Sequence, residues 1–562
     1  MKLLVIFFLS LPLYAKYANL NNVADWSNQA TIPLGTSREN IYQLNPEKLK
    51  QYQKDGYIHA LIYPVSVTGL LMPFDPLKNF LEADTKNPIK KIIRRITNKK
   101  MGFKTVKGFY QWLGLNEYPQ EGARGVFKIP YPNGTRPEFF MGATLMQTKH
   151  AKGLTFSCAA CHTATLFGKP IMGLTNRRVR ANSLFKMAKK TVRLIPSGIF
   201  QVATGASKDE RKMFKRTKKN LRSVDAIYPQ VLGLDTSLPQ VALSLARRNP
   251  DEYATKSKFY EKFPRKNELT HFVSDSKPAV WWNLKYKTRW LSDGSIVAGN
   301  PILTNFLWNE LGRGTDLKAL EKWMQDNQKT IDQLTVAAFS TKAPRWTDFF
   351  AADSIDIASA KRGEANYLVS CKKCHGVYEK GWSSENVNEL TPTEQLATTK
   401  IIYHEKTPVK DVGTDPQRWM GTKYFSENLN KLAISKWMKT VVRPQMGYVP
   451  PPLVGIFARY PYFHNNSIPN LCALLTIPKN RPTTFIQGPS IDPETDFQAE
   501  CVGYPVGADI PKEWKKDKSA FFDTTKPGLG NMGHSRMLLN KDGTEKYSQN
   551  EKLDIINFLK TL

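Results

Sequence analysis

Cysteine and histidine are scarce in this chain, with 6 and 8 copies respectively among 562 residues. At these frequencies, chance would place only about 0.001 copies of a Cys-x-x-Cys-His pattern in the sequence. Beyond the first residues there is also no apolar run long enough to cross a bilayer, so no transmembrane segment is expected there. A pattern of this kind that occurs twice therefore has a chemical reason.

Acidic residues are few relative to basic ones, 49 against 81, which gives a formal net charge of +32. A strong positive field steers anionic partners, such as an acidic electron-transfer protein, an anionic lipid surface or a charged substrate. The alternative is that the charge only keeps a solvated surface soluble. Nucleic acid is not expected as a partner, because the N terminus predicts export.

The first residues have the pattern of a secretory signal peptide. Lys2 precedes an apolar run from Leu3 to Leu13, and the small residue Ala15 follows. We predict a signal peptide at 1–15, rather than a buried first strand, and a periplasmic or secreted protein of the Gram-negative type. No cysteine follows Ala15, so a lipid anchor is not expected.

Two copies of the Cys-x-x-Cys-His pattern stand 213 residues apart, by subtraction of 158 from 371. The pattern is that of c-type haem attachment, and a zinc site or coincidence is strongly disfavoured. Positions i, i+3 and i+4 share one face of a helical turn, so two thiols and one imidazole address the same group. The chain is therefore predicted to bind two covalent haem c groups, through Cys158, Cys161 and His162 (haem 1) and through Cys371, Cys374 and His375 (haem 2).

Cys472 and Cys501 remain outside the two motifs. In an oxidising compartment they are expected to pair as a disulfide, the alternative being two free buried thiols.

The fold class is predicted to be mainly α, with two cytochrome c-type haem domains, long irregular loops and an N-terminal wrapping segment. Residues 16–110 are rich in proline and carry no motif, so they form the wrapping segment. The first haem domain is assigned to 111–345 and the second to 346–562. Residues 355–371 are predicted to form one helix, and Ser548 with Glu551 makes a capping box that begins a terminal helix.

Function depends on the sixth position of each iron, since a second strong ligand gives an electron carrier and an empty position binds small oxidants. For haem 2 we favour His534, in a glycine-rich turn, over three alternatives: Met446, His464 and Met532. His464 is expected instead to hold a turn. For haem 1 none of His59, His150 and His271 stands out, so an open site is expected, with His162 as its one protein ligand.

Two further stretches allow a functional and an ordinary interpretation. Trp281 and Trp282 lie in the densest aromatic stretch of the chain. This stretch forms a wall of the haem pocket, an electron relay between the haems, or ordinary core. Residues 181–192 have helical spacing with cations on one side, which suits surface contact with a membrane or an apolar face packed inward.

Two segments carry a family resemblance. One runs from Tyr448-Val-Pro-Pro-Pro through Tyr462-Phe-His464-Asn-Asn-Ser to Leu471, and the other is Pro527-Gly-Leu-Gly-Asn-Met-Gly-His534. The chain resembles dihaem c-type cytochromes of the rubber-oxygenase-like branch, which are related to bacterial dihaem cytochrome c peroxidases. The resemblance implies an N-terminal haem with His162 alone and an open face for dioxygen, and a C-terminal haem held by His375 and His534.

The expected function is a haem-dependent oxidoreductase that activates O2 or H2O2 at haem 1, while haem 2 handles electrons. One alternative is a dihaem cytochrome c peroxidase, which needs an acid–base residue such as a glutamate to split the O–O bond. The other is a pure electron-transfer cytochrome with both irons six-coordinate.

Overall fold

A computed structural model describes residues 24–82, 91, 94–95, 98–99, 102–149 and 151–562. The predicted signal peptide at 1–15 and His150 lie outside the described residues. Within them, no helix combines the length and the apolar character that a bilayer crossing needs.

The fold is mainly helical. In the N-terminal part the helices are Pro46–Leu61, Phe74–Glu82, Val106–Leu113, Ala159–His162, Ala181–Thr191, Ser197–Thr204, Lys208–Asn220, Ser237–Leu245, Lys258–Lys262, Pro301–Gly312, Leu317–Asp326 and Gln328–Ser340. In the C-terminal part they are Ile357–Ser370, Lys372–His375, Pro392–Leu396, Gln417–Gly421, Ser426–Asn430, Ala433–Trp437, Leu471–Leu474, Ser535–Leu538 and Gln549–Lys560.

The sheets are small and antiparallel. One has three strands in the order Met72–Pro73, Lys152–Phe156, Ala143–Gln147. The others are two-stranded: Thr163–Leu166 with Lys169–Met172, Ile296–Ala298 with Val441–Val442, Val377–Lys380 with Thr398–Ile402, and Thr484–Ile486 with Phe521–Asp523. Such short sheets cannot form a core alone, so the helices and loops supply most of the packing.

The N-terminal segment packs on the first of two large hydrophobic cores. Helix Pro46–Leu61 begins at Asn45, whose side chain accepts from the Lys48 N–H, and lies along helix Gln328–Ser340. The helices approach closely at Gly56, where an added Cβ would stand 2.0 Å from the backbone oxygen of Gln333. A glycine is needed at this crossing because no side chain fits between the two backbones.

The second core forms around the crossing of helices Ile357–Ser370 and Gln549–Lys560. The predicted capping box is confirmed, since Ser548 and Glu551 bond each other's backbone N–H groups. Cys472 and Cys501 form a disulfide in this part of the chain, with 29 residues of sequence separation.

The two cores exchange segments of chain. Phe425, Leu432 and Val442 pack into the first core, although they follow the second motif in sequence. Ala164 and Leu174 pack into the second core, although they follow the first motif. The linear division at 345 and 346 therefore stays a prediction, and any two haem groups would lie in one jointly built interior.

Candidate haem-binding site

Both Cys-x-x-Cys-His motifs open into the same cavity, which has a volume of about 520 Å³. Its lining includes all four motif cysteines, which are free thiols, together with the two motif histidines. Covalent haem attachment needs free thiols beside a roomy, largely apolar space. The residues present therefore fit haem c.

In the first motif, Cys158 caps the single turn Ala159–His162, and the N–H of His162 donates to the carbonyl of Cys158 at 3.1 Å. The Nδ1 of His162 lies 3.0 Å from the carbonyl oxygen of Ala279. This contact leaves Nε2 for the cavity and fixes the ring orientation. Burial lowers the pKa of His162 to about 4, so the imidazole is neutral at neutral pH and suited to bind a metal.

The second motif repeats this arrangement. Cys371 ends helix Ile357–Ser370, and the turn Lys372–His375 follows it directly. The Nδ1 of His375 lies 2.8 Å from the carbonyl oxygen of Pro451, which again leaves Nε2 for the cavity. Burial lowers the pKa of His375 to about 4.

His534 faces His375 across the cavity. Their ring centroids lie 6.3 Å apart, and the ring planes differ by only 15°. This separation is too large for ring-to-ring contact, and it matches the distance of about 6 Å expected when two imidazoles bond one metal from opposite sides at about 2 Å each. Burial lowers the pKa of His534 to about 3, and Phe463 stacks on its ring at 5.1 Å.

No matching partner faces His162 among the described residues. The other histidines and the methionine in the cavity lining are His375, His464, His534 and Met537, all from the C-terminal part of the chain. His59 instead bonds Gln333, and His271 is exposed.

The remaining sequence candidates for haem 2 lie apart from the His375–His534 pair. Met446 and Met532 are exposed. His464 lines the cavity, but its ring stacks on Tyr448 at 3.9 Å, and neither ring nitrogen has a hydrogen-bond partner in the described structure. The side chain of His464 therefore does not hold the turn that we expected it to hold; within that turn the N–H of Ser467 donates to Oδ1 of Asn465 at 3.2 Å.

The two adjacent tryptophans point into different cores. The Trp281 ring lies 5.5 Å from the His162 ring and lines the cavity. Trp282 is fully buried in the second core, does not line the cavity, and donates from Nε1 to the carbonyl of Val454 at 2.9 Å. The pair therefore joins the two halves of the molecule, and Trp281 alone is placed to affect a group bound at His162.

Cations line the cavity with little acidic balance. The lining contains six lysines and arginines, and Asp235 is its one carboxylate among the described residues. Arg313 and Arg418 pair with Glu310 and Asp293 behind the wall, whereas Lys277, Lys287 and Arg459 have no ion pair in the described structure. The ammonium of Lys287 has no hydrogen bond or ion pair in the described structure, and burial with the nearby charge of Arg459 lowers its pKa to about 7. Buried unpaired cations are costly, so this wall suits a ligand that brings its own carboxylates, as haem does.

Sequence reasoning did not identify Lys287, Arg459, or the carbonyl acceptors of Ala279 and Pro451. The run Pro450-Pro-Pro was the available signal for the second acceptor, because proline has no N–H and leaves its neighbours' carbonyls free for other donors. The two cations carried no local signal, because nothing in their neighbouring sequence separates them from the other 79 basic residues, of 81 in total.

Comparison with known proteins gives a match in the segment that forms the wall behind His375. Residues 447–486 match the family model described as RoxA-like, cytochrome c-like. This range includes Pro451, Arg459 and His464.

Two relatives from Sinorhizobium fredii (strain NBRC 101917 / NGR234) are also similar. The uncharacterized protein y4iJ is 28% identical over 269 residues, covering 39% of this chain and 41% of the relative. The uncharacterized protein y4iM is 27% identical over 226 residues, covering 37% of this chain and 49% of the relative. The chain thus spans less than half the length of these curated relatives. What the matches support is a RoxA-like, cytochrome c-like domain, which implies covalently bound haem c.

Proposed function

We propose that this chain is an exported dihaem c-type cytochrome whose two haems are unequal. His375 and His534 would hold the iron of haem 2, and His162 would be the one protein residue that holds the iron of haem 1. The observation that carries the proposal is the parallel pair of imidazoles at 6.3 Å on one side, with no such pair at His162 among the described residues. The disulfide between Cys472 and Cys501 supports an oxidising compartment outside the cytoplasm.

The haem groups supply two kinds of chemistry: reaction with a small oxidant where an axial position is free, and electron transfer where both positions are filled. The residues of this chain prepare both sites. The carbonyls of Ala279 and Pro451 orient His162 and His375 and keep Nδ1 of each ring occupied. Lys287 and Arg459 would hold haem propionates by charge.

The surroundings of His162 favour exclusion of water. Leu238, Val241, Ile302 and Trp308 line the cavity and belong to the same apolar core as Trp281, the neighbour of His162. An apolar pocket suits an uncharged oxidant such as O2 or H2O2 and an apolar organic substrate. We propose an oxidoreductase that uses O2 or peroxide at haem 1, with haem 2 and Trp281 handling electrons.

The peroxidase alternative requires a proton donor beside the open haem. No glutamate lines the cavity among the described residues, and the carboxyl of Asp235 already accepts the backbone N–H of Ser237 at 2.6 Å. Burial raises the pKa of Asp235, so this group is the one candidate for that donor within the described lining. Activity with H2O2 that Asp235→Asn removes would favour the peroxidase.

The direct test is an absorption and EPR spectrum of the purified full chain. We expect two haems per chain, one low-spin iron that ignores added ligands and one high-spin iron that binds cyanide or imidazole. Two low-spin irons that bind no added ligand would reject the oxidoreductase and leave the electron-transfer cytochrome. One haem per chain would reject the dihaem proposal itself. Turnover is then measured with O2 and, separately, with H2O2 plus a reduced cytochrome. The comparison separates the proposed oxidoreductase from the peroxidase.

A further inference from the structure

A surface outside the cavity lining combines exposed apolar side chains with cations that have no carboxylate partner. Leu194, Ile199 and Val202 are 74%, 61% and 75% exposed. Residues 186–222 contain 12 lysines and arginines and 2 acidic residues, a net charge of +10 by subtraction. Large side chains so exposed, within so basic a segment, call for a partner that accepts both properties.

Packing fixes the apolar side chains outward. In helix Ser197–Thr204 the inward residue is Phe200, which stacks face to face on Phe214 of helix Lys208–Asn220 with 3.9 Å between centroids. Ile199 and Val202 are three residues apart and share the other face. Helix Ser197–Thr204 therefore has one buried side chain, Phe200, and an apolar outer surface.

Cations surround this surface. Arg193 directly precedes Leu194. The ammonium of Lys218, in helix Lys208–Asn220, donates to the carbonyl of Ile195 at 2.7 Å, so this basic helix contacts the loop that carries Leu194. Arg193, Arg211 and Lys215 are exposed, and none has a carboxylate partner in the described structure. Lys189 differs, because Asp225 neutralises it at 2.6 Å.

We propose that Leu194, Ile199 and Val202, with Arg193, Arg211 and Lys215, form a docking surface for an anionic lipid membrane. The apolar side chains enter the boundary between headgroups and acyl chains, and the cations pair with lipid phosphates, as in interfacial amphipathic helices. Helix Ala181–Thr191 links this surface to the cavity, since Ala181 and Phe185 line the cavity at its other end. The proposal does not depend on the number or ligation of haems.

The experiment is cosedimentation of the full haem-loaded chain with phosphatidylcholine vesicles, with and without phosphatidylglycerol. We expect binding only when phosphatidylglycerol is present, and release by salt. Replacing Leu194, Ile199 and Val202 together by serine should weaken binding at least about tenfold. Replacing Arg193, Arg211 and Lys215 by glutamine should weaken it about fivefold per cation at low salt.

Matched controls lie elsewhere on the surface. Leu34, Phe259 and Val369 are similarly exposed and serve for the serine change. Lys512, Lys515 and Lys516 are also exposed, and replacing all three by glutamine removes the same charge as the change at Arg193, Arg211 and Lys215. Absence of binding to phosphatidylglycerol vesicles, equal binding to phosphatidylcholine alone, or equal losses in the control variants would each overturn the proposal. Sedimentation velocity on the same serine variant tests a second copy of the chain as occupant, and a dimer that this variant dissociates would also overturn it.

Discussion

His375 and His534 stand 6.3 Å apart with nearly parallel rings, although 159 residues separate them in sequence. A different contact orients each ring. The carbonyl oxygen of Pro451 bonds Nδ1 of His375, and the ring of Phe463 stacks on the ring of His534. Pro451 and Phe463 both lie within the segment that matches the RoxA-like, cytochrome c-like family model. One short segment thus supports both sides of the site.

The first prediction separates a ligand from a neighbour. If His534 is the sixth ligand of haem 2, as proposed, His534→Ala should convert that iron from a low-spin to a high-spin form, and added imidazole should restore the low-spin signal. His464→Ala removes another histidine from the same cavity and should leave the low-spin EPR signal unchanged. The reverse result would assign the ligand to His464.

The second prediction concerns the adjacent tryptophans. Trp281→Phe should change the haem 1 absorption spectrum and slow electron exchange between the haems, because the Trp281 ring lies 5.5 Å from His162. Trp282→Ala should instead lower the free energy of unfolding by about 3–5 kcal/mol, because a fully buried ring and its hydrogen bond are lost. Chemical denaturation and flash photolysis measure the two effects. An unchanged haem 1 spectrum in Trp281→Phe would remove this residue from the site.

The third prediction is a pH dependence of the reduction potential. A positive charge near haem favours the reduced iron, so the potential should fall as pH rises and Lys287 loses its proton. Burial sets its pKa at about 7, and a propionate beside it would move the inflection upward, toward the ordinary value of 10.5.

Spectroelectrochemical titration of Lys287→Met tests this. Lys287→Met should have a lower reduction potential at neutral pH and a flatter dependence of that potential on pH. In the wild type the slope should stay below about 59 mV per pH unit, the limit for one proton per electron. The exposed Lys512→Met is the matched control. Equal profiles in the wild type and Lys287→Met would show that this lysine does not face a haem.

The fourth prediction tests the helix crossing that supports the second motif. Gly363→Ala would place Cβ 1.9 Å from the backbone oxygen of Asp554, so helix Gln549–Lys560 must move. We expect destabilisation of about 1–3 kcal/mol and a weaker low-spin signal from haem 2. Lys361→Ala, on an exposed side of the same helix, should change neither denaturation midpoint nor spectrum. A tolerated Gly363→Ala would mean that the two helices are less tightly packed than described.

The local parts of the site were accessible from sequence. A Cys-x-x-Cys-His pattern defines its own geometry, because one helical turn brings the three side chains to one face, and both motifs form such a turn. The capping box at Ser548 is equally local, and it is confirmed. His534 was favoured from its glycine-rich turn, a local feature that says nothing about its distance from His375.

What the sequence by itself determined is the identity of the cofactor chemistry, since short-range spacing specifies which side chains can act together. Only the tertiary structure decided which distant groups meet: the Ala279 and Pro451 carbonyls behind the histidines, the divergence of Trp281 from Trp282, and the cations Lys287 and Arg459 in one wall. These contacts join residues far apart in the chain. They depend on how two interleaved cores pack, and no local pattern encodes that packing.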